Sequence, residues 1–347
     1  MELCTRFMKC FDMQADHAAA ANARRIRDSS LVWDMVWPLA SEVGNTYDAL
    51  DRFTASGFGL VSLTLAGDNH TTADALRIVA KTRAEIAARS DKLQLVTSVA
   101  QIESVRRAGK LAVLMHFEGT RCFERDLCTI GAFRELGVLY TLLAFNQSNS
   151  VGGGCAEGRD GGLTRFGGAF VREMQRVGMM VDLSHTGYLT SLDALAMATR
   201  PMIFSHSNAH ALAPHYRNIK DDQIKECART QGVIGISGAS DYLGTPKSSA
   251  EAVFRHIDYI AQLVGINHVG LGLDAVFDRD AVNAYVRARP LEWPQATQPD
   301  WAGFHYLMPE NLPDLIECML VARYAEADVR RVLGENFLRV CEAACTT

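Results

Sequence analysis

The chain has 347 residues, of which 48% are hydrophobic and 22% are charged, a composition that is typical of globular proteins and argues against long disordered regions. The net charge of −5 argues against a nucleic-acid partner, and nine scattered cysteines without a CxxC pair predict free thiols instead of a disulfide framework. Since the sequence has neither an apolar leader near its N-terminus nor about 18 consecutive apolar residues, we expect a cytoplasmic protein with no membrane partner.

Short apolar segments alternate with helical patterns along most of the chain. Eight segments have the length and apolar character of strands that are buried on both faces: 31–37, 59–66, 111–117, 138–145, 178–183, 201–205, 232–236 and 268–273. Helical patterns occur at 72–89, 166–177, 189–199, 221–230, 248–264, 312–324 and 326–344. This alternation predicts an α/β fold, a single (β/α)₈ TIM-barrel domain over residues 1–347 with C-terminal helices. An N-terminal helical segment is predicted at 1–30 and a loop over the barrel mouth at 278–308.

Four of the predicted strands end in a residue that can bind a metal or accept a proton. Glu118 follows the third strand, His185 the fifth, His206 the sixth and Asp274 the eighth. Since a barrel carries its chemistry at the carboxyl ends of its strands, we expect these side chains to converge on one site. Imidazole and carboxylate ligands suit zinc, and a carboxylate beside the metal can move protons, which is the role predicted for Asp274.

Each of these residues also has a structural interpretation. A histidine such as His185 can be a hydrogen-bonded core residue, and Asp274 can cap the next helix. His116 lies on the same face of its strand as Glu118, where it can be a ligand or support one. Arg217 has the guanidinium fork that binds a substrate carboxylate, although a salt bridge to a neighbouring acid explains it equally well.

At these positions the sequence resembles the renal (membrane) dipeptidase family of zinc peptidases, a branch of the amidohydrolase-like barrels. The resemblance extends over residues 31–344 and is most specific in five motifs: Asp-Gly-Gly-Leu-Thr-Arg-Phe-Gly at 160–167, Val-Asp-Leu-Ser-His at 181–185, Phe-Ser-His-Ser-Asn at 204–208, Arg-Asn at 217–218 with Asp-Asp at 221–222, and Gly-Glu-Asn-Phe-Leu-Arg-Val at 334–340. It implies a two-metal site in which Glu118 bridges the ions and His185 and His206 bind one of them. It also implies that Arg217 holds the substrate carboxylate, that Asp274 is catalytic and that the protein forms a homodimer.

The sequence departs from this family at two places in the site. The family's first strand carries Asp-x-His-x-Asp, whose His and final Asp bind the other metal, but here Val36 and Pro38 stand in those places after Asp34. The family's histidine after the fourth strand, which contacts the reacting carbonyl, is replaced by Phe145, and the neighbouring Asn146 is predicted to bind substrate. One zinc ion is therefore predicted, and two ions remain the alternative if Asp34 or His116 completes a second site.

Three functions remain open from the sequence. The first is a metal-dependent hydrolase that cleaves the amide bond of a dipeptide or a similar small carboxylated molecule through a metal-activated water. The second is a one-metal barrel enzyme that acts on a specialised metabolite in a pocket walled by Trp33, Trp37 and Phe145. The third is a binding protein that has lost catalysis together with its first-strand ligands.

Overall fold

The computed structural model describes residues 13–39 and 43–345, with side chains from residue 20 onward. Its first element is helix α1 (Met13–Ser29), which lies within the predicted N-terminal helical segment, whereas residues 1–12 of that segment lie outside the described residues. Ala23 and Ile26 of α1 are buried in the main hydrophobic core, so this helix packs on the outside of the barrel as one of its layers.

The sheet consists, within the described residues, of parallel strands only. They are β1 (Trp33–Pro38), β2 (Leu60–Gly67), β3 (Leu93–Leu95), β4 (Leu111–Glu118), β5 (Val138–Leu142), β6 (Met180–Asp182), β7 (Ile203–Phe204), β8 (Val233–Ile236) and β9 (Val269–Leu271). Eight of them pair in the order β1-β2-β4-β5-β6-β7-β8-β9, and β3 pairs with the start of β4. These eight coincide with the eight predicted strands, and the nearly closed barrel that they form confirms the predicted (β/α)₈ fold. The sequence pattern does not predict β3, which is too short to show a periodicity.

Helices cover the outside of the barrel and its base. After α1 they are α2 (Leu50–Ala55), α3 (Thr72–Ala88), α4 (Ile102–Arg107), α5 (Cys128–Glu135), α6 (Arg165–Val177), α7 (Tyr188–Ala196), α8 (Asp221–Arg229), α9 (Ser240–Leu243), α10 (Ala250–Val264), α11 (Arg279–Arg287), α12 (Leu312–Val321), α13 (Glu326–Arg330) and α14 (Asn336–Cys345). A π-helical turn at Arg331–Glu335 joins α13 to α14. Each of the predicted helical segments overlaps one of these helices or, at 326–344, two of them.

The segment at 278–308 differs from its prediction as a loop because it begins with helix α11. The Asp278 carboxylate caps this helix by accepting a hydrogen bond from the backbone N–H of Ala281 at 2.9 Å. Val282 and Val286 lie one turn apart on its inner face and are buried in a cluster with Trp293. The three prolines of the segment lie after the helix, so they obscure its pattern in the sequence without interrupting it.

The barrel is joined between its last and first strands through a side chain. Asp34 Oδ1 accepts hydrogen bonds from the backbone N–H of Leu273 at 2.9 Å and from that of Val36 at 3.3 Å. Asp34 is fully buried, and this burial raises its pKa to about 8, so the carboxyl group is largely protonated at neutral pH. The conspicuous acid of β1 therefore serves the closure of the barrel.

The base of the barrel is closed by the C-terminal helix. The Phe337 ring of α14 lies 6.1 Å from the Trp33 ring, and both are buried. A Cβ at Gly270 would lie 2.5 Å from the Phe337 ring, so the close approach of α14 requires glycine at this position. The carboxyl ends of the strands, at the opposite face, are left as the place for a site.

Two further expectations concern the helices and the cysteines. No helix within residues 13–39 and 43–345 is both long and apolar enough to cross a bilayer. The described cysteines at 122, 128, 155, 227, 318, 341 and 345 are free thiols, as predicted.

Candidate metal centre

Three side chains with metal-binding atoms meet at the carboxyl ends of the strands. Glu118 is the last residue of β4, His185 follows the end of β6, and His206 follows the end of β7. Their ligand atoms all lie within 4.8 Å of one another, with 2.9 Å between the two histidine Nε2 atoms and 3.5 Å between His206 Nε2 and Glu118 Oε1. We refer to these three residues as the ligand cluster. The structure thus brings together the three residues that the sequence predicts as metal ligands.

The second nitrogen of each histidine ring is held by a partner outside the cluster. His185 Nδ1 lies 2.7 Å from the amide oxygen of Asn146, which accepts the proton on that nitrogen. His206 Nδ1 lies 2.7 Å from Ser205 Oγ, and the Asp182 carboxylate accepts a hydrogen bond from the backbone N–H of Ser205 at 3.0 Å. Since the Asn146 oxygen can only accept, a neutral His185 ring carries its proton on Nδ1, and its Nε2 directs a lone pair towards His206 Nε2 at 2.9 Å. A lone pair that faces a second imidazole nitrogen is an arrangement that fits a shared metal ion.

Burial sets the protonation of the ligand cluster. It holds the pKa of His185 and that of His206 well below the usual value, and the charge of Arg217 lowers both further, so both rings are neutral. Burial raises the pKa of Glu118 well above its usual value, and the charge of Asp274 raises it further. Glu118 Oε1 is buried without a hydrogen-bond donor among the described residues. Two neutral imidazoles and a carboxylate that lacks a counter-charge are a donor set that fits a zinc-like ion.

Three residues around the site have a left-handed backbone conformation. The φ angles of Asn146, His185 and Asp274 are 58°, 59° and 56°. Non-glycine residues rarely adopt this region, although Asn, Asp and His do so more readily than others. Each of the three residues follows the end of a strand, where the turn directs the chain across the rim of the barrel. Such conformations cost of order 1–3 kcal/mol and persist where the surrounding structure imposes them, as it does at functional sites.

Asp274 and Arg217 provide a carboxyl group and a fixed positive charge beside the ligand cluster. Burial raises the pKa of Asp274 to about 7, although the charge of Arg217 opposes this rise. Arg217 is 2% exposed and donates hydrogen bonds to Ser207 Oγ at 3.0 Å and to the carbonyl oxygen of His206. Its Nε has no partner in the described part of the chain, and no carboxylate there forms an ion pair with it. The salt bridge that was the alternative explanation of Arg217 is therefore not formed among these residues.

Asn146 and Phe145 hold the His185 ring from two directions. The Asn146 amide oxygen also accepts from the Cys155 thiol, at 3.2 Å, and the Phe145 ring stacks on that of His185 with centroids 4.3 Å apart. Asn146 thus positions a ligand, while its amide nitrogen is buried and has no acceptor among the described residues. That nitrogen is the atom left for the substrate contact predicted for Asn146, which stays a prediction.

The glycine-rich motif at 160–167 has a structural role. The Asp160 carboxylate accepts hydrogen bonds from the backbone N–H of Gly162 at 2.9 Å, and from the backbone N–H and hydroxyl of Thr190 at 2.9 and 2.7 Å. A Cβ at Gly187 would lie 2.4 Å from the same carboxylate, so only glycine fits there. The motif orders the loops around the site and supplies no ligand.

The first strand contributes no residue to the ligand cluster. Val36 is fully buried, Pro38 lies at the wall of the neighbouring cavity, and neither side chain can coordinate a metal. Asp34 Oδ1 accepts both of its hydrogen bonds from backbone N–H groups, as described above. Among the residues that the structure describes, the ligand cluster is the only group of three or more side chains arranged to bind one ion.

His116 supports the interior of the barrel and is not part of that group. Its Nε2 lies 2.8 Å from Thr64 Oγ1, and its ring stacks on Tyr140 at 4.4 Å. Burial lowers its pKa to about 3, so the ring is neutral. Asp34 Oδ2 and His116 Nδ1 are buried without a hydrogen-bond partner among the described residues, but neither residue belongs there to a group of three or more side chains arranged to bind one ion.

A cavity of about 290 Å³ opens in front of the ligand cluster and is walled largely by apolar and aromatic side chains. Phe145, Tyr285 and Trp293 form part of the wall, and Glu118 and Asp274 face into it. The aromatic wall predicted from the sequence is thus correct for Phe145. It is wrong for the two tryptophans of β1: Trp33 and Trp37 are fully buried and pack against Phe337 and Phe53 in the core.

His185 also lines a second cavity, of about 160 Å³. This cavity is lined by the basic side chains of Arg217 and Lys220 and by His210 and His215. It offers a place for an anionic group within reach of Arg217.

Sequence reasoning missed two groups of residues. The first supports the ligands from within the strand-end motifs and consists of Asp182, Ser205 and Ser207; their proximity to the histidines in the sequence was a usable signal. The second lines the main cavity and includes Tyr242, Tyr285, Glu292, Trp293 and Tyr306. All of these except Tyr242 lie in the segment 278–308 that the sequence predicted to cover the barrel mouth, but the pattern did not show which of its side chains face the ligands.

Comparison with known proteins places this sequence and fold among relatives. The family model of the membrane dipeptidases (peptidase family M19) matches residues 1–282. Dipeptidase tcpJ of Claviceps purpurea (strain 20.1) is 31% identical over 255 residues, which cover 72% of this chain and 55% of that protein. The chain spans about half the length of the curated relatives it matches.

Solved structures share the barrel over nearly its whole length. An amidohydrolase from Pseudomonas aeruginosa superposes with a TM-score of 0.84 and 26% identity, covering 93% of this chain and 99% of that one. A metallo peptidase from Rhodobacter sphaeroides, solved with a phosphinate mimic of the dipeptide L-Ala-D-Ala, has a TM-score of 0.74 and 21% identity, covering 91% and 100%, and shows the shared fold. With the family model matching residues 1–282, the resemblance found in the motifs is confirmed, and the chain belongs to the membrane dipeptidase family, peptidase family M19.

Proposed function

We propose that the protein is a zinc-dependent hydrolase that cleaves the amide bond of a dipeptide or a similar small carboxylated amide. The observation that carries this proposal is the ligand cluster, which faces a cavity of about 290 Å³ and has Asp274 and Arg217 beside it. Membership of a metallopeptidase family supports metal-dependent hydrolysis. The dipeptide mimic bound to the Rhodobacter sphaeroides metallo peptidase supports the substrate class.

Each residue has a role that follows from its surroundings. Glu118, His185 and His206 would hold one ion, which when bound lowers the pKa of a water molecule and polarises a carbonyl group. Asp274 takes a proton from the attacking water and returns it to the leaving amine, for which a carboxylate with a raised pKa is suited. Arg217 binds the substrate carboxylate, since its charge is buried without an acidic partner among the described residues.

Asn146 has two roles in this proposal. Its amide oxygen orients the His185 ring, and its amide nitrogen donates to the substrate. The Ser205 hydroxyl orients His206 in the same way on the other side of the cluster. The rings are therefore fixed before the ion binds, which limits the ordering that binding requires.

Metal content and hydrolysis together test the proposal. We expect elemental analysis to find about one zinc ion per chain, and we expect the loaded protein to release free amino acids from dipeptides. Glu118→Gln should abolish both, while Glu173→Gln, which removes a surface acid that pairs with Arg176, should change neither. A loaded protein that hydrolyses neither dipeptides nor N-acyl amino acids would contradict the proposal.

The apolar cavity keeps a second candidate in view. Its aromatic wall suits a bulkier substrate, and the loss of the first-strand ligands is compatible with a one-metal enzyme that acts on a specialised metabolite. Turnover of a lactone or a cyclic amide by a protein that leaves dipeptides intact would favour this candidate. A chain that binds no metal even when zinc is supplied would instead support a binding protein.

A further inference from the structure

The main cavity contains an acid that the proposed reaction does not use. Glu292 follows helix α11 in a tight turn, in which the backbone N–H groups of Glu292 and Trp293 both donate to the carbonyl oxygen of Arg289, at 3.1 and 3.0 Å. Trp293 is 7% exposed and anchors this turn, while Glu292 lines the cavity. No side-chain hydrogen bond or ion pair joins Glu292 to another residue of the described chain.

The charged neighbours of Glu292 leave it without a donor. The Arg289 guanidinium lies 3.5 Å from the centre of the Tyr285 ring and donates to the Tyr285 carbonyl oxygen at 3.1 Å. Asp68, a second acid of the cavity, already accepts hydrogen bonds from the backbone of Thr120, Arg121 and Phe145 and from the amide of Asn149. Burial raises the pKa of Glu292, the charge of Arg289 lowers it and that of Asp68 raises it. A cationic group in the cavity would stabilise the ionised form of the Glu292 carboxylate.

Aromatic rings connect Glu292 to the ligand cluster. The Trp293 ring packs edge-on against those of Phe145 and Tyr285, with centroids 5.7 Å apart in each pair. Phe145 in turn stacks on His185. Glu292 therefore directly precedes Trp293, and the Trp293 ring contacts the Phe145 ring, which stacks on the metal ligand His185. A carboxylate beside aromatic rings is a combination that binds ammonium groups.

The second cavity has the opposite electrostatic character. Arg217 and Lys220 line it, and its two acids are already engaged: Glu157 accepts from the backbone N–H of Ser148 at 2.7 Å, and Asp160 is held by its own loop. His185 lines both cavities. A zwitterion that lies across His185 thus meets the carboxylate of Glu292 at one end and the guanidinium of Arg217 at the other, and neither group forms an ion pair among the described residues.

We propose that Glu292, with the rings of Phe145, Tyr285 and Trp293, binds the free α-ammonium group of the substrate while Arg217 binds its carboxylate. The substrate class is then an unblocked dipeptide with an apolar N-terminal residue, and N-acyl amino acids are poor substrates. This inference rests on the proposed hydrolase function and adds a specificity-determining residue to it.

The test compares two substrates that differ only in the amino group. Leucyl-alanine and 4-methylpentanoyl-alanine have the same amide bond and carbon skeleton, but the second lacks the ammonium. We expect the zinc-loaded protein to prefer leucyl-alanine by about tenfold or more in kcat/KM, which corresponds to one charge-assisted hydrogen bond. Glu292→Gln should remove this preference, mainly through KM, and leave 4-methylpentanoyl-alanine unaffected. Asp300→Asn is the matched control, since it removes an exposed acid from the same segment without touching the cavity.

Each alternative result has a defined meaning. If Glu292→Gln weakens both substrates equally, or neither, Glu292 does not recognise the ammonium and the inference is wrong. If Glu292→Gln weakens 6-aminohexanoyl-alanine, whose ammonium lies at the far end of the acyl chain, and leaves leucyl-alanine unchanged, Glu292 does not bind the α-ammonium and the inference is wrong. If nothing is hydrolysed, the proposed function fails, and calorimetric binding of the first two compounds then decides: weaker binding of leucyl-alanine by Glu292→Gln supports the subsite, and equal binding overturns it.

Discussion

Two parts of the barrel, strand β1 and the ends of β6 and β7, carry buried polar residues that serve different purposes. At β6 and β7, His185 and His206 each have one ring nitrogen held by a hydrogen-bond partner and the other directed to a common point. At β1, Asp34 accepts hydrogen bonds from the backbone and is followed by Val36 and Pro38. Asp34 lies at the start of β1, where its Oδ1 joins the last strand to the first, whereas the ligand histidines follow the carboxyl ends of their strands. The position of a polar residue along its strand therefore separates a residue that closes the barrel from one that can bind an ion.

Removal of a ligand is expected to have the largest effect in this comparison. His206→Asn deletes a nitrogen of the ligand cluster, so we expect loss of the bound ion and a fall of hydrolysis to background. Val36→Ala, at the place of the family's first-strand histidine, should leave both unchanged and cost only stability, by about 1 kcal/mol, because it removes buried methyl groups. Elemental analysis and dipeptide turnover provide the measurements. If His206→Asn retains its ion, or if Val36→Ala loses it, the two strand ends do not differ in the way described.

Replacement of the two buried aspartates gives the next largest contrast. Asp274→Asn should lower kcat by roughly 10²–10⁴-fold and keep the metal, because an amide cannot take the proton of the attacking water. Asp34→Asn should change kcat by less than about threefold at neutral pH, since an acid with a pKa of about 8 is largely protonated and already resembles an amide. Steady-state kinetics of both variants near pH 7 will test this. Equal losses in the two variants would show that burial and not proton transfer governs the effect of Asp274.

The sequence predicted the ligand cluster because its three members follow apolar strands, where a parallel barrel must bring them together. It could not predict that Asp182 and Ser205 support His206, since polar residues inside such strands also serve the fold, as Asp34 does. Trp33 and Trp37 were misplaced for two different reasons: Trp33 packs with Phe337 at the base of the barrel, and an irregularity of the β1 register between Asp34 and Trp37 leaves Trp37 packed against Phe53 in the main core. Neither the depth of a side chain in the barrel nor such an irregularity can be read from the sequence.

Removal of a group that orients a ligand histidine is expected to lower metal affinity less than removal of the ligand itself. Ser205→Ala removes the hydroxyl that is hydrogen-bonded to His206 Nδ1, so we expect metal affinity to fall by about 10- to 100-fold. Ser62→Ala is a matched control next to the first strand, because Ser62 is equally buried and accepts from the Trp33 indole at 3.0 Å. Both variants lose a buried hydroxyl, and Ser205→Ala also loses a contact of 3.3 Å with Ser184 Oγ, so we expect its stability to fall at least as much as that of Ser62→Ala. Competition with a zinc chelator measures the affinities; unchanged affinity in Ser205→Ala would mean that the serine does not orient the ring.

The smallest expected effect concerns His256, a buried histidine outside the ligand cluster. It lies on α10, and its Nδ1 accepts a hydrogen bond at 3.1 Å from the backbone N–H of Ala209, in the loop after β7. Burial lowers its pKa to about 4. Because the unfolded chain binds this proton near pH 6.5 and the folded chain does not, acidification through that interval favours unfolding.

The stability that His256 contributes is thus complete above about pH 6.5 and is lost as the pH falls towards 4, by on the order of 3 kcal/mol. His256→Asn keeps an acceptor for Ala209 but cannot titrate. We expect this variant to be less stable than the wild type near pH 7 and to lose less stability on acidification, in urea unfolding of the metal-free protein. Since the ligand histidines are present in both proteins, their titration cancels in the difference between the two curves. Parallel curves would mean that His256 accepts its proton in the folded state, and that the loop after β7 is held independently of the charge on this ring.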